Sequence, residues 1–205
     1  MKKTLLAACL TVVSGMASAA STVVVSSPIA NNARIPSTIE VLNNDTMRIH
    51  VGTAPDYLLL LSGQIYSIQN RQATDMSALR EQIRLPTIGD ENINLLYGVD
   101  PTDKEETIAG IKGAVYSIRY SDNTSQQRQE EVVLSLDARV RESTLTWKSY
   151  VDRLPQSAGR GRGAFQNFLD SKNLGVLRFG NHYQIESFGV TPAADRFVLP
   201  ALASP

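Results

Sequence analysis

The chain has one cysteine among 205 residues, Cys9, and only two histidines, His50 and His182. Cys9 lies in a leader that export removes, so no disulfide staples the mature fold and an apolar core has to hold it. A zinc site would need both imidazoles brought together with carboxylates, yet neither His-x-x-His nor His-Glu-x-x-His spacing occurs. A net excess of either charge is missing too. Twenty Lys and Arg balance twenty Asp and Glu, which removes the electrostatic basis for a general nucleic-acid binder. There is no Gly-x-Ser-x-Gly for a serine nucleophile on a strained turn and no Asp-x-Asp-x-Asp-Gly calcium register. No cofactor is called for, and no internal repeat or low-complexity tract appears.

What is present begins with the leader. Lys2 and Lys3, an apolar stretch centred on residues 5–13, and Ala17-Ser18-Ala19 make the three parts of a secretory signal. Cleavage is expected near Ala19, and the location is expected to be periplasmic, or secreted to the surface, of a Gram-negative cell. The stretch falls short of the roughly 20 apolar residues that span a bilayer, so no integral membrane anchor is expected. Leu6-Ala7-Ala8-Cys9 has the small-residue pattern of a bacterial lipobox. The apolar stretch continues past it through Leu10, Val12 and Val13, which favours the later cleavage. Loss of Lys2 and Lys3 leaves 18 basic against 20 acidic groups. Asn44-Asp45-Thr46 and Asn123-Thr124-Ser125 match the glycosylation pattern, but in a bacterial chain they read as polar turns.

The body reads as short strands between turns. Val23 to Val25 opens it; Ile39 and Val41, then Met47, Ile49 and Val51, alternate with polar residues across the Asn43-Asn44-Asp45 turn. The apolar run 57–61 suits a strand covered on both faces, with a tight hairpin at Gly63 leading to residues 64–68. Thr74 and Asp75 are positioned to cap a short helix over 75–84, with Met76, Leu79 and Ile83 on one face and Pro86 beyond its end. Residues 93–97 suit a strand and 100–106 a polar loop. Ala114, Tyr116, Ile118 and Tyr120 share one strand face, and Val132, Leu134, Leu136, Ala138 and Val140 share the next. The polar stretch 121–131 between them predicts a ribbon with an extended, solvated tip. Trp147, Tyr150, Val151 and Leu154 have helical spacing, although Leu145, Trp147 and Val151 also fit a strand face. Phe165, Phe168 and Leu169 predict a short helix over 164–170. Leu174 to Phe179 pairs with His182 to Ser187 across Gly180-Asn181, where glycine supplies positive φ. A proline-punctuated tail follows, lying extended over the body or frayed.

The fold expected is therefore mainly β: an antiparallel β-sandwich, immunoglobulin-like or two small sandwich-like units, with two short helices. The units would be residues 20–100 and 101–205, or one continuous domain.

Candidate chemistry is sparse. The acidic pairs Asp90-Glu91, Glu105-Glu106 and Glu130-Glu131 can in principle supply an acid and a base, but they read as solvated loop residues with no apolar pocket to separate their pKa values. Asp100, Asp103, Glu105 and Glu106 cluster without the register that wraps a chain around calcium. Gly159-Arg160-Gly161-Arg162-Gly163 leads into a helix start. Its glycines let amides converge, and its two guanidinium groups offer forked donors to a phosphate or carboxylate. Arg160, Gly161, Arg162 and Gly163 are thus the candidate anion-binding residues, against the alternative of a soluble linker. The stretch lacks the Lys-Ser/Thr ending of a nucleotide loop.

Residues 37–51, Ser-Thr-Ile-Glu-Val-Leu-Asn-Asn-Asp-Thr-Met-Arg-Ile-His-Val, resemble the early strands of immunoglobulin-like periplasmic pilus chaperones. Those chaperones hold a subunit's terminal carboxylate with an Arg in the first strand and a Lys in a later one. Residues 22–26 here contain no Arg, so the resemblance carries no function over. The expectation is a non-enzymatic interaction protein of the cell envelope, a component or accessory of a pilus, adhesin or secretion assembly, with an envelope or surface protein as partner. The alternatives are a periplasmic hydrolase and an anion- or glycan-binding module using residues 159–163.

Overall fold

The computed structural model describes residues 21–28, 34–43, 45–53, 55–76, 88, 90–151 and 162–202. Eleven strands join in one sheet: β1 (Ser21–Pro28), β2 (Arg34–Asn43), β3 (Thr46–Val51), β4 (Tyr57–Leu61), β5 (Gln64–Gln69), β6 (Gln72–Asp75), β7 (Leu95–Ile108), β8 (Ile111–Ser121), β9 (Gln127–Ser135), β10 (Gly175–Phe179) and β11 (Tyr183–Gly189). Their spatial order is β6-β5-β4-β3-β2-β1-β11-β10-β9-β8-β7, and every ladder is antiparallel. The described residues are mainly β with two α-helices, consistent with a sandwich-like β fold. Its first and last strands meet at mid-sheet, where Val23 lies opposite Phe188.

Alternation dictates most of this. Val23, Ile39 and Ile49 lie opposite one another on β1, β2 and β3, and all three are buried. Leu59 and Leu60 point to opposite faces of β4 and are both buried, so the apolar run is covered on both sides as its composition requires. The turn joining β4 to β5 places Ser62 and Gly63 at φ 48° and 82°, the twist that a two-residue hairpin needs. One apolar cluster extends from Val23 and Val25 to Phe179 and Ile185.

Four expectations are corrected. Thr74 and Asp75 close strand β6 instead of capping a helix; the remainder of the 75–84 helix, beyond Met76, lies outside the described residues. The acidic stretch 100–106 belongs to strand β7, broken by a bulge between Pro101 and Glu105, where the Thr102 hydroxyl donates to the Val115 carbonyl at 2.8 Å. The face running from Val132 to Val140 stops at Ser135, because Asp137 caps helix α1 (Ala138–Val151) by accepting the Arg139 amide at 2.9 Å. The ribbon tip is also shorter than its polarity suggested. Gln127 pairs with Ser121, and Asp122 ties the turn by accepting the amides of Thr124 and Gln126.

Helix α1 buries Val140, Thr144 and Trp147, the i, i+4, i+7 stripe of a one-sided helix. Helix α2 (Arg162–Lys172) buries Phe165, Gln166 and Leu169. Among the described residues no helix is long and apolar enough to cross a membrane.

The segment after β11, residues 190–202, forms a strap over the outer face of β2 to β6. Phe197 is buried beside Leu59, Ile68 and Ala73. The strap ends at the sheet edge, where the Ala73 amide donates to the Ala201 carbonyl at 3.0 Å and Leu202 makes a parallel bridge to Ala73. Because the strap crosses the strands, side chains hold most of it.

Candidate binding surfaces and a polar cluster

The sheet has two ends, and their chemistry differs. The β6 end is overlain by the strap. At the other end, among the described residues, β7 pairs with β8 alone, which gives an edge of the kind that receives another strand. Leu95 and Tyr97, at the start of β7, are 55% and 48% exposed. A bulge between Leu96 and Gly98 re-aims the Tyr97 region. Farther along, Pro101, the 102–104 bulge and the charged run Asp103, Lys104 and Glu105 blunt the edge in the way natural edge strands avoid unlimited pairing. Only residues 95–100 therefore remain suited to receiving a strand.

The acidic residues that sequence grouped together are separated by the sheet. Asp100 pairs with Arg119 at 2.9 Å, Glu105 with Lys112 at 2.5 Å, Glu106 with Arg178 at 2.8 Å and Glu131 with Lys104 at 2.9 Å. Arg178 also lies 3.9 Å from Glu131, between the Glu106 and Glu131 carboxylates. Asp90, expected in a solvated loop, is buried in a 3-10 turn (Asp90–Asn92) and accepts from Gln166 Nε2 at 2.7 Å. Among the described residues no three His, Cys, Asp or Glu side chains converge to hold a metal ion.

Of the candidate anion loop, Arg160 and Gly161 lie outside the described residues. Arg162 opens α2, and Gly163 is exposed in its first turn with open space around it.

Two polar clusters escaped sequence reasoning. In the first, the Tyr120 hydroxyl donates to Glu130 Oε1 at 2.8 Å, and His182 Nε2 lies 3.3 Å from the same oxygen. The other oxygen, Oε2, is buried against Gly180 and has no hydrogen-bond partner among the described residues. Burial alone would raise the Glu130 pKa, but hydrogen bonds from His182 and Tyr120 hold it below the ordinary carboxylate value. Burial, reinforced by Glu130, pushes the Tyr120 phenol well above its usual range. These groups line a cavity of about 370 Å³ together with Asn92, Asp122, Thr124 and Arg128. The three central residues come from β8, β9 and the turn before β11, 62 positions apart at the extremes, so no spacing motif announces them.

The Glu130 shift has a sign that can be checked. A depressed folded-state pKa contributes stability that is present above the unfolded value near 4.3 and lost as pH falls through the lower folded value. Glu130→Gln should therefore be less stable than wild type by about 1 kcal/mol at neutral pH, with the difference shrinking as pH drops below about 4. Urea unfolding at a series of pH values checks this, and a difference that grows toward acid would contradict it.

The second cluster centres on Glu40, which is buried on the outer face of β2. Arg196 of the strap grips it with Nε at 2.7 Å from Oε1 and Nη2 at 3.0 Å from Oε2. Arg48 lies 3.7 Å away and stacks on Tyr57 at 3.8 Å from the ring centroid. Burial, then repulsion from Arg196, lowers the Arg48 pKa. Glu40 sits at an outward position of an alternating strand, and Arg196 of the strap covers it there.

Comparison with protein-family models, with curated proteins and with solved structures finds no match.

Proposed function

We propose that this chain is a non-enzymatic interaction protein of the Gram-negative cell envelope, exported by its leader and serving as a component or accessory of a pilus, adhesin or secretion assembly. The observation that carries the reading is the asymmetry of the sheet: one end is overlain by the chain's own strap, while the other, among the described residues, presents 95–100 as an unpaired edge that includes exposed Leu95 and Tyr97. A partner strand added there would gain main-chain hydrogen bonds, with Tyr97 and Leu95 as side-chain anchors. Guarding beyond Pro101 limits the addition to one short strand.

A photo-crosslinking side chain placed at Tyr97 in the exporting cell should yield one discrete adduct, and the same group at exposed Thr53 should not. Identical adduct patterns from both positions would remove the edge as the binding surface. With the partner in hand, Tyr97→Ala is expected to weaken the complex by about 2 kcal/mol, roughly thirtyfold. An unchanged affinity would count against the anchor.

A further inference from the structure

At the β7 end of the sheet a groove of about 540 Å³ is lined by Tyr97, Arg119, Gln127, Arg128 and Gln129. Arg119 stands opposite Gly98 on one side and Gln129 on the other. With no side chain at Gly98, the guanidinium has room beside β7: a Cβ there would come within 3.0 Å of Nη2, which instead donates to Asp100 Oδ2 at 2.9 Å. Much of the hydrogen-bonding capacity around the groove is unused. Among the described residues the Tyr97 hydroxyl and the Gln127 side-chain amide have no hydrogen-bond partner. Gln129 engages only its Nε2, on the Ser117 hydroxyl at 3.0 Å, and Arg119 engages only its Nη2. Charge, in contrast, is cancelled locally, since Arg119 pairs with Asp100 and Arg128 with Asp122 at 2.8 Å.

These unused groups suit one ligand chemistry. A sugar hydroxyl both donates and accepts, and so does a primary amide; the Arg119–Asp100 pair sets unused N–H donors beside a carboxylate, which matches two neighbouring hydroxyls. The exposed Tyr97 ring offers an apolar surface to the C–H face of a sugar, with a polar tip beyond it. Cancelled charge leaves no field to draw a phosphate or a carboxylate into the groove. Tyr97 is the one aromatic side chain in the lining, so an apolar ligand would find little to bury against. The volume lies within the roughly 300–1,000 Å³ of small-molecule sites. We propose that this groove binds a neutral oligosaccharide, with one ring stacked on Tyr97 and the hydroxyls of that ring and its neighbour held by Arg119, Gln127 and Gln129. The site shares Tyr97 with the strand-addition surface but does not rest on it, because Arg119, Gln127 and Gln129 belong to β8 and β9.

Binding of the exported chain to an array of neutral oligosaccharides built from glucose, galactose, mannose and N-acetylhexosamines, with sialylated and sulfated counterparts alongside, tests this. At least one neutral oligosaccharide should bind saturably, with an affinity that holds between low and high salt. That oligosaccharide should shift the side-chain amide resonances of Gln127 and Gln129 when titrated into the labelled protein. Gln127→Ala combined with Gln129→Ala should weaken its binding about tenfold, the effect of losing two hydrogen-bonding side chains. Both residues are exposed, so the melting temperature of the double variant should match wild type. The same variant, altered on β9 and not at the edge, should leave the protein adduct from position 97 in place, so that failure of sugar binding and failure of strand addition are told apart. No neutral ligand, binding confined to the acidic counterparts, or an affinity untouched by the double substitution overturns the proposal.

Discussion

Phe179→Ala is expected to lower the unfolding free energy by about 3–5 kcal/mol, the usual cost of removing a fully enclosed aromatic ring. Phe179 is completely buried at the end of β10. Its ring meets Phe165 of α2 edge-on at 5.6 Å between centroids, Tyr120 of β8 at 6.5 Å and the His182 ring at 6.2 Å. It is the apolar floor beneath the Tyr120–Glu130–His182 cluster. The cavity left behind should therefore loosen the cluster as well as the core, and the pH dependence assigned to Glu130 should weaken in the variant. Urea denaturation at neutral and acid pH measures both effects. A loss under about 1 kcal/mol would mean that the ring is not enclosed.

Gly175→Ala is expected to cost about 3 kcal/mol, at the upper end of overpacking penalties, because nothing near it can move aside. A Cβ at Gly175 would lie 2.6 Å from the backbone carbonyl of Val140 and from the Arg141 amide nitrogen. Those atoms belong to the first turn of α1, anchored in turn by the Asp137 cap. The same approach lets the Val176 amide donate to Thr144 Oγ1 at 2.9 Å, while that hydroxyl donates back to the Val140 carbonyl at 2.9 Å. Alanine would thus push β10 from α1 and strain a buried hydrogen bond along with the packing. Thermal melting compared with Gly163→Ala, a helical position with open space, isolates the clash from any general effect of removing glycine. Equal melting temperatures for the two variants would refute it.

Much of the architecture was legible because it is local. The β2–β3 hairpin follows from Ile39 and Val41 facing Ile49 and Met47 across a polar turn, and the β10–β11 hairpin from Gly180, which holds φ 48°. The ambiguous stretch around Trp147 proved helical, for a reason visible in retrospect: Asp137 is a capping residue, and Val140, Thr144 and Trp147 recur at helical spacing. Leu136 and Ala138 also continued the period-two pattern of β9, and periodicity alone cannot rank a strand that continues against a cap that ends it.

Short-range pattern was enough to establish that this protein is mainly β and that its hairpins fall at particular turns. These depend on neighbours within a few residues, where backbone preference and side-chain alternation act directly. Closure of the whole chain was needed to settle which strands end the sheet, that β1 pairs with β11, that Glu40 is buried beneath Arg196, and that Tyr120, Glu130 and His182 meet around one oxygen. Those relations join residues from 10 to more than 150 positions apart. They arise from closing one apolar cluster, and the same alternating pattern is compatible with many closures until side-chain volumes and ion pairs select one.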